Sequence, residues 1–251
     1  MPHYRRFQDA SVSEKILDTM FLLTIGLGYL FALTHLYFSH QGRDGQPGLS
    51  VEDVRIAYYG KQNQTRLGTA LQGPMSDRAN TADKQVIFDW LEHGSSKDEF
   101  DAKVAPILAN NCTMCHSAES GMKILPLSNY DEVMVVAETD HGASVQSLVR
   151  VSHIHLFGIS FILFFLGRIF LLCEMKPMIK RVTVAIPFIA MLLDILSWYI
   201  TKAIPGFAYV VVLAGALMGI SMAMQIFVSL YQMWLYTPKA SDGNSDEPLL
   251  Q

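Results

Sequence analysis

The chain has 251 residues, a formal net charge of −4 and a hydrophobic content of 51%, with a mean hydropathy of +0.25. That composition is too apolar for an ordinary soluble domain, and no basic tract suits it to nucleic acid. No Walker loop, GxGxxG, HExxH or Ser-His-Asp set is present, which removes the common nucleotide-dependent and hydrolytic chemistries.

Residues 1–18 carry Arg5, Arg6 and Lys15 and precede the first long apolar stretch, Thr19–Phe38. About 20 apolar residues cross a bilayer, so this stretch reads as a transmembrane helix. It is long and no A-x-A site follows it, which favours a retained anchor over a cleaved signal peptide. His35 falls about four residues before its end, roughly 6 Å deep at helical rise.

Residues 39–150 change character. Helix-start signals recur: Ser50 with Asp53, Thr81, a Ser96–Glu99 capping box, and Ser128 with Asp131. The expected helices run to Gly60, to His93–Gly94, into Cys112, and onward from Ser128. No segment alternates with period two, so no sheet is expected.

Residues 112–116 read Cys-Thr-Met-Cys-His. The spacing C-x-x-C-H is that of c-type haem attachment: two thiols add to the two porphyrin vinyl groups and the adjacent imidazole binds iron. With three Cys and eight His in 251 residues, a chance occurrence is expected at about 0.001. A zinc site would need further ligands, and a CxxC disulfide would not need His116. Cys112, Cys115 and His116 are therefore the candidate haem c residues, and a redox-active iron implies single-electron transfer.

Residues 151–236 hold three more apolar stretches, Val151–Cys173, Val182–Ile200 and Phe207–Tyr236. His155 lies about four residues into the second span, at a depth matching His35. Together these two imidazoles are candidates for a b haem or a quinol site, with His153 on the opposite side of the helix. Arg168 and Asp194 are the other costly intramembrane groups, either as a structural bridge or on a proton pathway. Gly215 and Gly219 form GxxxG, a helix-packing face, and Cys173 reads as a small apolar residue.

Lys176, Lys180 and Arg181 lie between the second and third spans and Lys239 follows the fourth. Placing these with the N-terminal cations inside puts both termini in the cytoplasm and residues 39–150 outside, in the periplasm of a Gram-negative cell. Lys202, in the short turn between the last two spans, is the one dissenter. The polar tail, residues 237–251, is expected to be disordered.

The run FDAKVAPILANNCTMCH resembles the first helix and haem site of class I cytochromes c. That resemblance implies that the carbonyl beside Pro126 orients His116, and that a distal Met and a terminal helix belong to the same domain. The loop LQGPMSD and the helix ADKQVIFDWLEH supply that pair in the family's order but ahead of CxxCH, joined by Gly94–Ser96. The resemblance thus implies a rearranged cytochrome with His116 proximal and Met75 distal; Met134, Met122 and His141 are the rival ligands. The stretches GLSVEDVRIAYYG and RVSHIHLFGISFILFFLGRIF resemble proteobacterial membrane proteins that join a periplasmic cytochrome c segment to a helical bundle.

The expectation is an all-α protein: a four-helix transmembrane bundle with an inserted small helical cytochrome c-like domain. It carries one covalent haem c and moves electrons between a membrane redox partner and a periplasmic acceptor in a respiratory chain. A quinol dehydrogenase subunit using His35 and His155, and a haem-based redox sensor or assembly subunit, are the alternatives.

Overall fold

The computed structural model describes residues 5–122 and 124–237; the expected disorder of the tail lies outside the described residues from 238 onward. Ten α-helices are present among them, and no strand. The chain divides into two compact units: one of residues 1–33, 149–196 and 210–251, the other of residues 34–148 and 197–209.

The first unit is built on four long helices, α1 (Val12–His40), α8 (Val145–Phe170), α9 (Pro177–Thr201) and α10 (Ala208–Trp234), each long and apolar enough to span a bilayer. α8 starts six residues before the expected 151, and α1 starts seven before the expected Thr19. A capping box explains the second difference: Ser11 Oγ accepts from Glu14 N while the Glu14 carboxylate accepts from Ser11 N, stopping the helix at Val12 rather than at the apolar boundary.

Large side chains such as Phe31, Phe157, Leu213 and Phe227 point outward, while Thr183, Ser221, Gln225 and Ser229 are buried. This inverted distribution suits a hydrocarbon solvent, in which backbone and polar side chains must be satisfied from within. Pro187 lies inside α9. Having no N–H, it deprives the Thr183 carbonyl of its helical partner. α10 supplies the replacement: Ser221 Oγ and Gln225 Nε2 donate to that carbonyl at 3.0 and 2.9 Å. The GxxxG motif is half used within the chain, for a Cβ on Gly219 would come within 2.2 Å of the Tyr29 hydroxyl whereas Gly215 faces open space.

At one end of this unit, Arg6 pairs with Glu174 at 3.4 Å, Gln232 Nε2 donates to the Glu174 carbonyl at 3.0 Å, and Trp234 Nε1 donates to Thr19 Oγ1 at 2.9 Å. The N-terminal cations, the α8–α9 loop and the end of α10 therefore share one end of the bundle.

The second unit contains α2 (Val51–Tyr59), α3 (Arg66–Gln72), α4 (Thr81–Glu92), α5 (Lys97–Glu99), α6 (Ala105–Asn111) and α7 (Tyr130–Ala137). Ser50 and Asp53 form the expected capping box of α2. Two caps sit one residue from expectation. Asn80, not Thr81, receives Asp83 N, and Asn129, not Ser128, receives Glu132 N. The Ser96–Glu99 box is only half formed, because the Glu99 carboxylate turns to Lys103 at 2.7 Å.

Leu71, Ile87, Trp90, Phe100, Val104, Leu108, Leu127 and Val133 form the core. Trp90 and Phe100 rings lie 5.6 Å apart, and Phe100 meets Tyr130 edge-on at 5.5 Å. Gly94 (φ 90°) and Ser95 (φ 53°) turn α4 back onto the next helix. A π turn, Phe100–Val104, joins α5 to α6. Phe100, Val104 and Leu108 recur every four residues, a spacing that drifts about 40° per step in an α-helix. The wider π turn takes that drift back and keeps all three, and Cys112 after them, on the core side.

The base of this unit is a backbone knot. Ala143 N donates to Ala57 O at 2.9 Å, Asp140 N to Gln64 O at 2.8 Å and Arg66 N to Glu138 O at 3.1 Å. Lys202 closes it, its ammonium donating to the carbonyls of Tyr58, His141 and Ala143 at 3.2, 2.9 and 2.7 Å. The cation that dissented from the charge rule is thus held by oxygen atoms of the folded chain.

Candidate functional site

The helix ending at Asn111 delivers Cys112 half-buried against the core, and the chain then turns tightly. His116 N donates to Cys112 O at 2.9 Å, closing the CxxCH loop on itself. The thiols of Cys112 and Cys115 are free, and burial pushes the Cys112 thiol up from its ordinary pKa. The His116 Nδ1–H donates to the Leu125 carbonyl at 2.8 Å, while Leu127 N returns a bond to His116 O at 2.8 Å. Those two bonds straddle Pro126, so the imidazole is clamped by the carbonyl that the cytochrome resemblance singles out. With Nδ1 occupied as a donor, Nε2 is the nitrogen left to ligate.

No three His, Cys, Asp or Glu side chains among the described residues are arranged to hold a bare metal ion. The donor set instead suits a porphyrin: two free thiols for its edge and one oriented imidazole for its iron.

The structure brings the Met75 loop to the same end of α4 as this motif. Asp83, in the first turn of α4, accepts from Asn111 Nδ2 at 3.2 Å, one residue before Cys112. The next residue, Lys84, donates to the carbonyl of Ser76 at 3.1 Å, one residue after Met75. Met75 and Met122 are both exposed, at 37% and 55%, whereas Met134 packs against the core. His141 is exposed and lies in the knot, where its carbonyl serves Lys202. A polar cleft of about 530 Å³ lined by Asp44, Lys61, Gln72, Thr81, Lys84 and Phe88 meets the first turns of α4, and neither thiol lines it.

His35 belongs to the second unit, His153 and His155 to the first. His155 is half-buried with Nδ1 donating to Val151 O at 2.9 Å; His35 and His153 are exposed. Arg168 is exposed and Asp194 half-buried. Residues that sequence reasoning missed are Asp83 and Asn111, which tie the two loops together, and the Ser221–Gln225–Ser229 series. A four-residue spacing of polar residues in an apolar helix was the available signal for the latter.

Comparison with known proteins agrees with the architecture. Residues 131–240 match a family model described as a transmembrane helical domain, a stretch that begins within α7 and takes in α8–α10. No curated protein and no solved structure matches the chain. The fold and this match define a multi-pass, all-α membrane protein.

Proposed function

We propose that this protein is a membrane-bound c-type cytochrome that passes single electrons between a membrane redox partner and a periplasmic acceptor. The observation that carries the reading is the CxxCH turn with its imidazole oriented by the Leu125 carbonyl. Cys112 and Cys115 would bond the porphyrin edge, His116 would ligate the iron, and Met75 would be its second protein ligand. A haem held this way supplies one centre that gains and loses one electron. Asp83 and Lys84 hold the two ligand loops against one helix end, which limits the reorganisation that each change of iron charge would demand. In this reading residues 39–150 lie in the periplasm and both termini in the cytoplasm, in keeping with the basic clusters gathered at one end of the bundle.

The test is a pyridine haemochrome spectrum, quantified per chain, on protein made in a host that attaches c haem. One c haem and no b is the expected result; absence of covalent haem would overturn the proposal. One c plus one b would instead favour the quinol dehydrogenase reading through His35 and His155. Met75→Ala should abolish the near-infrared charge-transfer band of Met-ligated ferric haem; persistence of that band would move the distal role to Met134 or Met122, and its absence from the parent chain would move it to His141.

A further inference from the structure

The polar cleft at the start of α4 lies wholly within the second unit, and its volume of about 530 Å³ falls in the range of small-molecule sites. Its walls are held by main-chain bonds. One is the loop Gly42–Gly48, closed by Gly42 N donating to Gly48 O at 3.2 Å. Asp44 N ties that loop to α2 by donating to Asp53 Oδ1 at 2.9 Å. Another is the turn Lys61–Gln64, pinned at both ends by Asp140: its carboxylate accepts from Lys61 N at 3.3 Å, and its N–H donates to Gln64 O at 2.8 Å. Gln72 at the end of α3 and Lys84 in α4 complete the lining.

That lining has unmet valences. Lys61 and Lys84 are half-buried, and neither forms an ion pair among the described residues. Each ammonium is positioned by one neutral oxygen instead, Lys61 by Gln72 Oε1 at 3.0 Å and Lys84 by the Ser76 carbonyl at 3.1 Å. Further N–H groups are left on both. The carboxylate on the lining does not answer them, because Asp44 Oδ1 accepts from Gln46 N and Oδ2 from Ser50 Oγ, both at 2.8 Å. Gln64 Oε1 is buried without a hydrogen-bond partner, a cost that a donor in the cleft would remove. Leu71 and Phe88 face the same space with carbon. Two cations call for two acid groups, an orphaned amide oxygen for a hydroxyl, and the apolar wall for a carbon skeleton that joins them.

We propose that the cleft binds a short hydroxylated dicarboxylate, with its acid groups at Lys61 and Lys84 and its hydroxyl donating to Gln64 Oε1. An inorganic anion meets the charge but leaves the carbon wall bare, and a neutral polyol leaves both ammonium groups without a counter-charge. The site does not depend on the haem reading.

The test is isothermal titration of the full chain in detergent with each enantiomer of malate and with succinate, the same dicarboxylate without the hydroxyl. One enantiomer should bind saturably and about tenfold more tightly than succinate, because a site built around a hydroxyl rejects the analogue that lacks it. Equal affinities, or no saturable binding of either enantiomer, would overturn the proposal, as would sulfate competing as well as malate. Lys61→Met and Lys84→Met should each weaken malate at least tenfold while ligand-free thermal unfolding stays cooperative. Gln64→Leu should erase the preference for malate and leave succinate binding unchanged. Parent affinity in both lysine variants, or an intact preference in Gln64→Leu, would overturn the site. Where a variant does not fold, the malate–succinate comparison on the parent chain decides.

Discussion

A Cys112→Ser/Cys115→Ser protein should reach the membrane yet retain no haem that survives acidic organic extraction, whereas on the proposed reading the parent chain should keep one haem per polypeptide. The effect is all-or-none because serine hydroxyls do not add to vinyl groups under conditions in which thiols do. Each single substitution should leave one thioether and a shifted haemochrome band. The helix that presents Cys112 is fixed by Phe100, Val104 and Leu108, all buried, so the double variant keeps its core. Loss of haem with retained thermal unfolding of the second unit is thus the expected pair of results. Covalent haem persisting in the double variant would remove these cysteines from the site. His116→Ala separates attachment from ligation: the thioethers should form, but the Leu125 carbonyl loses its donor and the iron its oriented imidazole.

A large loss of stability is expected at Gly142. Its φ is 67°, and a Cβ there would stand 2.4 Å from the Tyr58 carbonyl oxygen and 2.8 Å from Gly60 N. Gly60 is the reciprocal partner, with φ 89° and an added Cβ 2.1 Å from Asp140 O. Neither clash can be relieved by a side-chain rotation, because every atom involved is backbone. Relief means parting the two segments of the knot and with it the Ala143–Ala57 bond and the carbonyl cage of Lys202. Gly142→Ala should cost on the order of 3–5 kcal/mol, read as a lowered thermal midpoint. Gly121→Ala is the control: its φ is 69° but its surroundings are open, so only the left-handed backbone penalty of about 1–2 kcal/mol applies. Equal losses at the two positions would show that the knot yields without strain.

The membrane frame was legible because length and hydropathy alone decide which segments can cross a bilayer. The CxxCH run stood out because three Cys and eight His in 251 residues make a chance match rare. Capping signals were placed to within a residue, and the reason for the slips is plain: at Asn80–Thr81 and at Ser128–Asn129 two competent caps are adjacent, and packing chooses between them. α3 escaped notice because seven residues, Arg66–Gln72, are too few to establish a period. The knot escaped for a different reason. Its bonds run between backbone atoms of residues some 80 apart in sequence, such as Asp140 and Gln64, and backbone atoms carry no sequence signature. Pro187 and Gln225 are each readable alone, but that one answers the other appears only once α9 and α10 lie side by side.

The π turn before Cys112 has a genetic meaning. With it, Phe100, Val104, Leu108 and Cys112 sit at steps of four along the chain; without one residue of the turn they would sit at steps of three, four and four. Those intervals return to the same side of a plain α-helix. The stretch Phe100–Val104 therefore holds one residue more than the core requires, and the exposed Asp101 is a codon that can be lost with Cys112 still on the core side.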